Sequence, residues 1–390
     1  MRNQVATLAL STICAALFFA PAARAGVQWV VTGHGYGHGV GMSQYGAYGY
    51  ASHGKDYRFI LGHYYSGTSI GNTGPQVVRV LIAIDSGDVE FSGASGACGH
   101  SLDPARAYEA HRVARSVLLR SAAGKPLANC GHRLRAAGGG DVAIGGSAYR
   151  GALEIVPTES AGGSLNAINA VPVDQYVKGV VPNESPASWP LAALEAQAVA
   201  ARSYALSTQV DGNGFDLYAD TRSQVYEGIA SEEPSSNRAV ELTRGQVVMY
   251  GGAIAQTYFS ACSGGHTESV QNVFFGPPVP YLVGVPDPYD GACPLHTWQL
   301  KFSQGEINAK LGSNLDGGLQ RVVVTQHGVS PRIVWARLVG SGGITKIRGD
   351  QLASALGAYD RWMSFRKVVN GKPAAGGGDN PPGPAGGVTG

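Results

Sequence analysis

Charge is scarce in this 390-residue chain: Asp, Glu, Lys and Arg together make 14% of it, and 29 basic against 27 acidic residues leave a formal +2. A broad nucleic-acid footprint needs concentrated positive charge, so that class is excluded and neutral partners such as sugars fit better. Long apolar runs are absent beyond the first twenty residues. The stretch Val5 to Ala20 is interrupted by Ser11 and Thr12 and is short for a membrane span. With Arg2 before it and Ala23-Arg24-Ala25 after it, it reads as an export signal cleaved after Ala25. Its removal takes two arginines and no acid, leaving a formally neutral chain whose one tie to a membrane is the signal. Cysteine is rare too. Once Cys14 leaves, Cys98, Cys130, Cys262 and Cys293 remain, and an even number in an exported chain suggests two disulfides. Sequence order favours Cys98 with Cys130 and Cys262 with Cys293, while two other connectivities stay open. A zinc site built from Cys262, His266, Cys293 and His296 is the competing use, although its spacing matches no common module.

Glycine, by contrast, is plentiful: 57 residues, spread through short turns with no collagen-like period. Roughly 365 residues after the signal suffice for one large domain or two modest ones. Strand-like runs at 77–82, 142–144 and 153–156, separated by Gly/Ser/Ala turns, predict a β-rich accessory unit over 76–163, stapled by Cys98–Cys130. The segments 26–75 and 164–370 alternate helix and strand patterns, which gives an α+β protein with a mixed sheet-and-helix main domain. Helices are expected over 42–62, 304–311 and 349–356, a hairpin over 246–260 about Gly251-Gly252, and a flexible Gly/Pro tail over 371–390.

One acid stands out. Glu184 lies in an Asn-Glu-Ser-Pro loop before a helix that begins near Ser188 and Pro190. Leu191, Leu194, Ala198, Ala201 and Ala205 recur at helical spacing, so a narrow alanine face can press against a neighbour. A carboxylate fixed ahead of such a helix and partly desolvated suits an acid that must hold a proton near neutral pH. The bland reading is a surface cap. The histidines of the Gly33–Thr68 stretch have competing readings as well: metal ligands, a sugar-contacting loop, or a packed glycine turn. The Ser260–Glu268 loop either turns the chain or offers hydroxyls to a polar substrate; a serine hydrolase is disfavoured because no G-x-S-x-G elbow is present.

Taken together, VPVDQYVKGVVPNESPASWPLAALEAQAVAARSYAL, GHGYGHGVGMSQYGAYGYA with ILGHYYSGT, SQVYEG and YFSACSGGHTES resemble the blocks of the stage II sporulation protein D family, the SpoIID/LytB domain. The resemblance spans nearly all of 27–369. It implies a lytic transglycosylase acting on the glycan strands of peptidoglycan, with Glu184 on the catalytic glutamate. It places His38, Gln44, Trp189, Gln224, Tyr226, Ser260, Ser263, Thr267 and Glu268 near the cleft, and it implies no cofactor and no metal. The name LytB, an amidase enhancer, implies an alternative: a noncatalytic glycan-binding partner of a cell-wall amidase. In the sporulation proteins the glycine-histidine block closes the domain, whereas here it opens it. The chain therefore reads as circularly permuted, with Val27–Val31 expected beside the end of a 362–369 strand and with His38 and Gln44 facing Glu184.

Overall fold

The computed structural model describes residues 26–159, 163–210, 212–370 and 372–373. The expected export signal and nearly all of the expected tail lie outside the described residues. The fold is α+β.

Its centre is the helix Leu191–Ser207, which Pro190 opens and whose run of alanines lets neighbours come close on almost every side. Burial is wider than the single alanine face expected from the sequence: Ala193, Ala196, Gln197, Val199, Ala200 and Arg202 are buried too, and Leu191 is the exposed member. The fully buried Arg202 guanidinium donates to Asp174 Oδ1 at 2.8 Å and to the Gln246 carbonyl at 3.1 Å, so this charge is both paired and hydrogen-bonded. Around the long helix pack Gln44–Ser52 and Tyr57–Tyr64, Val173–Lys178 and Val181–Glu184, and Pro234–Leu242. The single helix expected over 42–62 is two, because Gly54, at φ +76°, ends the first and Asp56 caps the second by accepting from Phe59 N–H.

On one side a seven-stranded sheet runs Leu217–Tyr218, Val77–Asp85, Leu165–Pro172, Ala152–Pro157, Leu134–Ala137, Gly96–Ala97, His100–Ser101. It shares one apolar cluster with a six-stranded sheet whose edge is Pro126–Asn129. The disulfide Cys98–Cys130 joins the two sheets just beyond Gly96–Ala97 and Pro126–Asn129. Leu165–Pro172 pairs with both Val77–Asp85 and Ala152–Pro157, so the β-rich region and the segment leading to Glu184 share one sheet across residue 163.

On the other side the strand Val27–His34 lies between Thr297–Ser303 and Met363–Val369, antiparallel to both. Val27 pairs with Val369 and Gly33 with Met363. A three-stranded sheet, Leu319–His327, Ile333–Gly340 and Ile344–Arg348, packs beside it with the helices Gln304–Leu311 and Gly349–Leu356. The expected hairpin over 246–260 is shorter. Gln246–Tyr250 returns as Ala253–Ile254, and the chain then leaves to pair Phe259–Ser260, parallel, with Met42–Ser43.

Candidate active site

Glu184 ends a short helical turn, Val181–Glu184, that Pro182 opens in its first positions. Asn183 pins the turn, its amide donating to the Gly179 carbonyl at 2.8 Å and to Ser231 Oγ at 3.0 Å. The carboxylate accepts two hydrogen bonds, from Gln44 Nε2 to Oε2 and from Val225 N–H to Oε1, each at 3.2 Å. Burial raises its pKa above the ordinary carboxylate value, and the two hydrogen bonds, which favour the charged form, oppose that rise.

Gln44 arrives from the glycine-histidine block. Ser43 caps the helix Gln44–Ser52 by accepting from Gly46 N–H, and the short parallel pairing of Met42–Ser43 with Phe259–Ser260 fixes its start. Gly41 makes the approach possible: its φ is +71°, and a Cβ there would lie 2.1 Å from the Tyr258 carbonyl oxygen.

Together these segments wall a cleft of about 500 Å³. Glu184 is its only carboxylate among the described residues. One wall carries Tyr36, His38 and Gln44, another Tyr258, Phe259, Ser260 and Phe274, and the rim is Thr221, Arg222 and Ser223. Tyr204 faces Glu184, and burial pushes its phenol up to about 12, so it stays protonated and can donate. His38 is held neutral: burial first, then the Arg332 and Arg361 charges, push it down to about 4. Its Nδ1 accepts from Val40 N–H at 3.0 Å, and it also hydrogen-bonds the Phe259 backbone, so the ring ties the wall together. Ser260 Oγ accepts from Gly39 N–H at 3.2 Å.

Of the residues the sequence proposes, His38, Gln44, Glu184 and Ser260 therefore meet in the cleft. The others lie outside its lining. Gln224 is buried and donates to Tyr176 Oη and the Ala201 carbonyl. Tyr226 is buried, its hydroxyl donating to Asn169 Oδ1 at 2.8 Å, which leaves no ring face for stacking. Trp189 packs on Tyr45 and Tyr48, with ring centroids 5.0 and 5.2 Å away. Ser263 binds the Asp287–Asp290 pair, Thr267 bonds Val285, and Glu268 is fully buried among backbone and side-chain donors. Cys262 and Cys293 are bonded to each other, so the zinc arrangement loses both its thiolates. Missed in the sequence are Tyr36, Tyr204, Tyr258 and Phe274, and the N–H of Val225. A lone aromatic between glycines, such as Tyr36, was the available signal; a backbone donor leaves none.

Residues 161–250 match the family model described as Stage II sporulation protein. The chain is 39% identical over 173 residues to an uncharacterized protein of Brachyspira hyodysenteriae, covering 44% of this chain and 46% of that one. It is 40% identical over 134 residues to the amidase enhancer of Bacillus subtilis, 34% of this chain and 18% of the relative. Stage II sporulation protein D of the same species is 31% identical over 168 residues, 39% and 49% of the two chains. The chain thus spans about half or less of these relatives' lengths. The match over 161–250 includes both Glu184 and Val225, the donor to its Oε1, and with the sporulation-protein relatives it supports the stage II sporulation protein D family for this chain.

Proposed function

We propose that this protein is a lytic transglycosylase that cleaves the β-1,4 bond following N-acetylmuramic acid in peptidoglycan glycan strands. The names of the relatives support a cell-wall related role, and one observation carries the finer reading: a single carboxylate, Glu184, in the cleft wall. A hydrolase that activates a bound water uses two carboxyl groups across the scissile bond. A transglycosylase needs one. Glu184, in the protonated form that its burial favours, gives its proton to the glycosidic oxygen as the C1–O bond breaks. The carboxylate that results draws the proton from the sugar's own 6-hydroxyl, whose oxygen closes onto C1. The product is a 1,6-anhydro end and no water is consumed. Intramolecular attack replaces the positioned water, and the same glutamate serves as acid and then base.

The Gln44 and Val225 hydrogen bonds keep the carboxylate aimed and stabilise it once it has lost its proton. Tyr36, Tyr258 and Phe274 offer apolar faces to pyranose rings, and Ser260, Ser223 and Tyr204 offer hydroxyls. The pairing of Val27–His34 with Met363–Val369 supports reading the chain as a circular permutation of the family's order. Two disulfides are compatible with an oxidising, extracellular location. Among the described residues no helix is long and apolar enough to cross a membrane.

The test is the mass of soluble products released from purified glycan: anhydro ends are lighter than hydrolytic ends by one water. Hydrolytic ends alone would sink the mechanism. A second reading draws on the amidase-enhancer relative: a noncatalytic glycan-binding protein. It predicts no cleavage by the purified chain and faster release of stem peptides when a cell-wall amidase is added.

A further inference from the structure

Among the described residues, the sheet formed by Leu319–His327, Ile333–Gly340 and Ile344–Arg348 is covered on one face only. Val322, Ala336, Leu338 and Ile347 point into the core beside Trp29, Phe302 and Leu352. Register puts the alternate residues on the open face: Arg321 opposite Val339, Arg337 opposite Lys346, and Trp335 opposite Arg348. Arg321, Arg337 and Lys346 are exposed, and none of the three strands contains an acid. Asp350 takes two hydrogen bonds from Arg348, and Asp316 lies at the far end of the sheet, against the Gly342–Gly343 turn. In a chain this close to neutral, such a cluster is a local concentration of positive charge.

The face is also continuous with the cleft. Phe274 lines the cleft, and the next residue, Phe275, turns outward from a left-handed backbone, φ +56°, that a bulky residue adopts only at a cost. Its ring lies 6.0 Å from that of Trp335. Arg348 sits 4.9 Å over Phe275 and Lys346 4.0 Å over Trp335, so the cations are held on the rings. Phe274 and Phe275 are 47% and 39% exposed, which leaves an uncovered aromatic path out of the cleft.

We propose that this open face is a second binding surface, for a carboxylate-bearing glycan strand running on from the cleft. Aromatic rings take the pyranose faces and Arg337, Lys346 and Arg321 take carboxylates carried on the strand. The identity of the polymer rests on the reading of the cleft given above; the surface itself rests on charge and continuity.

The test uses a full chain carrying Glu184→Gln as parent, so that substrate is not consumed, and reads its co-sedimentation with purified peptidoglycan sacculi at rising salt. Arg337→Glu with Lys346→Glu is expected to weaken binding about tenfold and to flatten its salt dependence. Amidating the carboxylates of the sacculi should weaken the parent equally. Trp335→Ala should weaken binding to both native and amidated sacculi, and circular dichroism with the thermal midpoint checks that each variant is folded. Native affinity in the folded charge-reversed variant, or no binding by the parent, overturns the surface. So does polyuridylate displacing the parent more effectively than the glycan, which would assign the face to nucleic acid. Because the readout needs no cleavage, absence of anhydro products from the wild type sinks the lytic reading alone.

Discussion

Two glutamates separate the wall of the cleft from the polar core behind it. Glu184 is half-buried and accepts two hydrogen bonds, both at 3.2 Å. Glu268 is fully buried and saturated, taking donors from Ser269 N–H, Asn272 Nδ2, Val329 N–H, and both the N–H and the hydroxyl of Ser330. A saturated carboxylate has no lone pair to offer a substrate. One with two long bonds and a dehydrated surrounding retains proton affinity and an open side. Both glutamates fall within sequence blocks that resemble the family's, so that resemblance marks them alike. Their coordination tells them apart.

Substitution should break that equivalence most sharply at Glu184. Glu184→Gln keeps the shape and cannot cycle a proton, so release of anhydro products should fall by about 10² to 10⁴ with the thermal midpoint kept. A folded variant retaining most of the wild-type rate would refute the assignment. Glu268→Ala should act on the fold. With several buried donors stranded at roughly 1–3 kcal/mol each, a loss near 5 kcal/mol is expected in urea unfolding, and activity should follow the unfolding curve. Next comes the Cys262–Cys293 bridge, whose residues are 31 apart in sequence. Opening it is expected to cost about 3–4 kcal/mol in chain-entropy terms. Because Tyr36 exchanges backbone hydrogen bonds with Cys262, glycan binding should weaken as well. Denaturant curves of Cys262→Ser with Cys293→Ser check the first effect, and sedimentation with glycan the second.

Smaller effects sharpen the same contrast. Gln44→Ala removes a hydrogen bond that favours the charged form of Glu184, so its pKa should rise further. The acid then stays protonated to higher pH, and the alkaline limb of the pH–rate profile should move up. An unmoved limb would mean that Glu184 is not the titrating acid. Behind the cleft, burial and the neighbouring Asp290 push Asp287 from 3.8 up to about 6. Between those values the folded state holds a proton that the unfolded state has released, so this group's contribution to stability falls as pH rises through that window. Thermal midpoints measured across it should carry that slope, and Asp287→Asn should flatten it.

Local chemistry was legible where the chain carries its own punctuation. The helices Gln304–Leu311 and Gly349–Leu356 fall where the pattern puts them, the first opened by a Ser303/Glu306 capping box and the second closed by Gly357 in a left-handed conformation. Leu165–Pro172 went unread, because it is buried on both faces and its Asn166 and Asn169 break the apolar run without producing a period-two alternation. The cleft was legible through its acid and its glycine-histidine approach. It was illegible where direction matters. In Gln224-Val225-Tyr226 the two side chains that looked functional turn inward, and the contact with Glu184 comes from the backbone between them. Phe274 reaches the cleft from a segment whose local sequence carries no such mark, and Tyr258 opens the YFSACSGGHTES block but was passed over for the hydroxyls that follow it.

The position of Val27–His34 bears on how the protein comes to be assembled. Its two neighbours are both made late: Trp29 Nε1 donates to Gln304 Oε1, 275 residues away in sequence, and the other flanking strand ends at Val369. As the chain is synthesised, the first strand must wait, unpaired along both edges, until nearly everything else exists. Pairings this distant close slowly. The Tyr36–His38 end of the cleft wall hangs directly from that strand, whereas Gln44 is already held through the pairing of Met42–Ser43 with Phe259–Ser260. A chain interrupted before Thr297 thus carries Glu184, its helix and the anchor of Gln44, and still lacks both strands that flank Val27–His34.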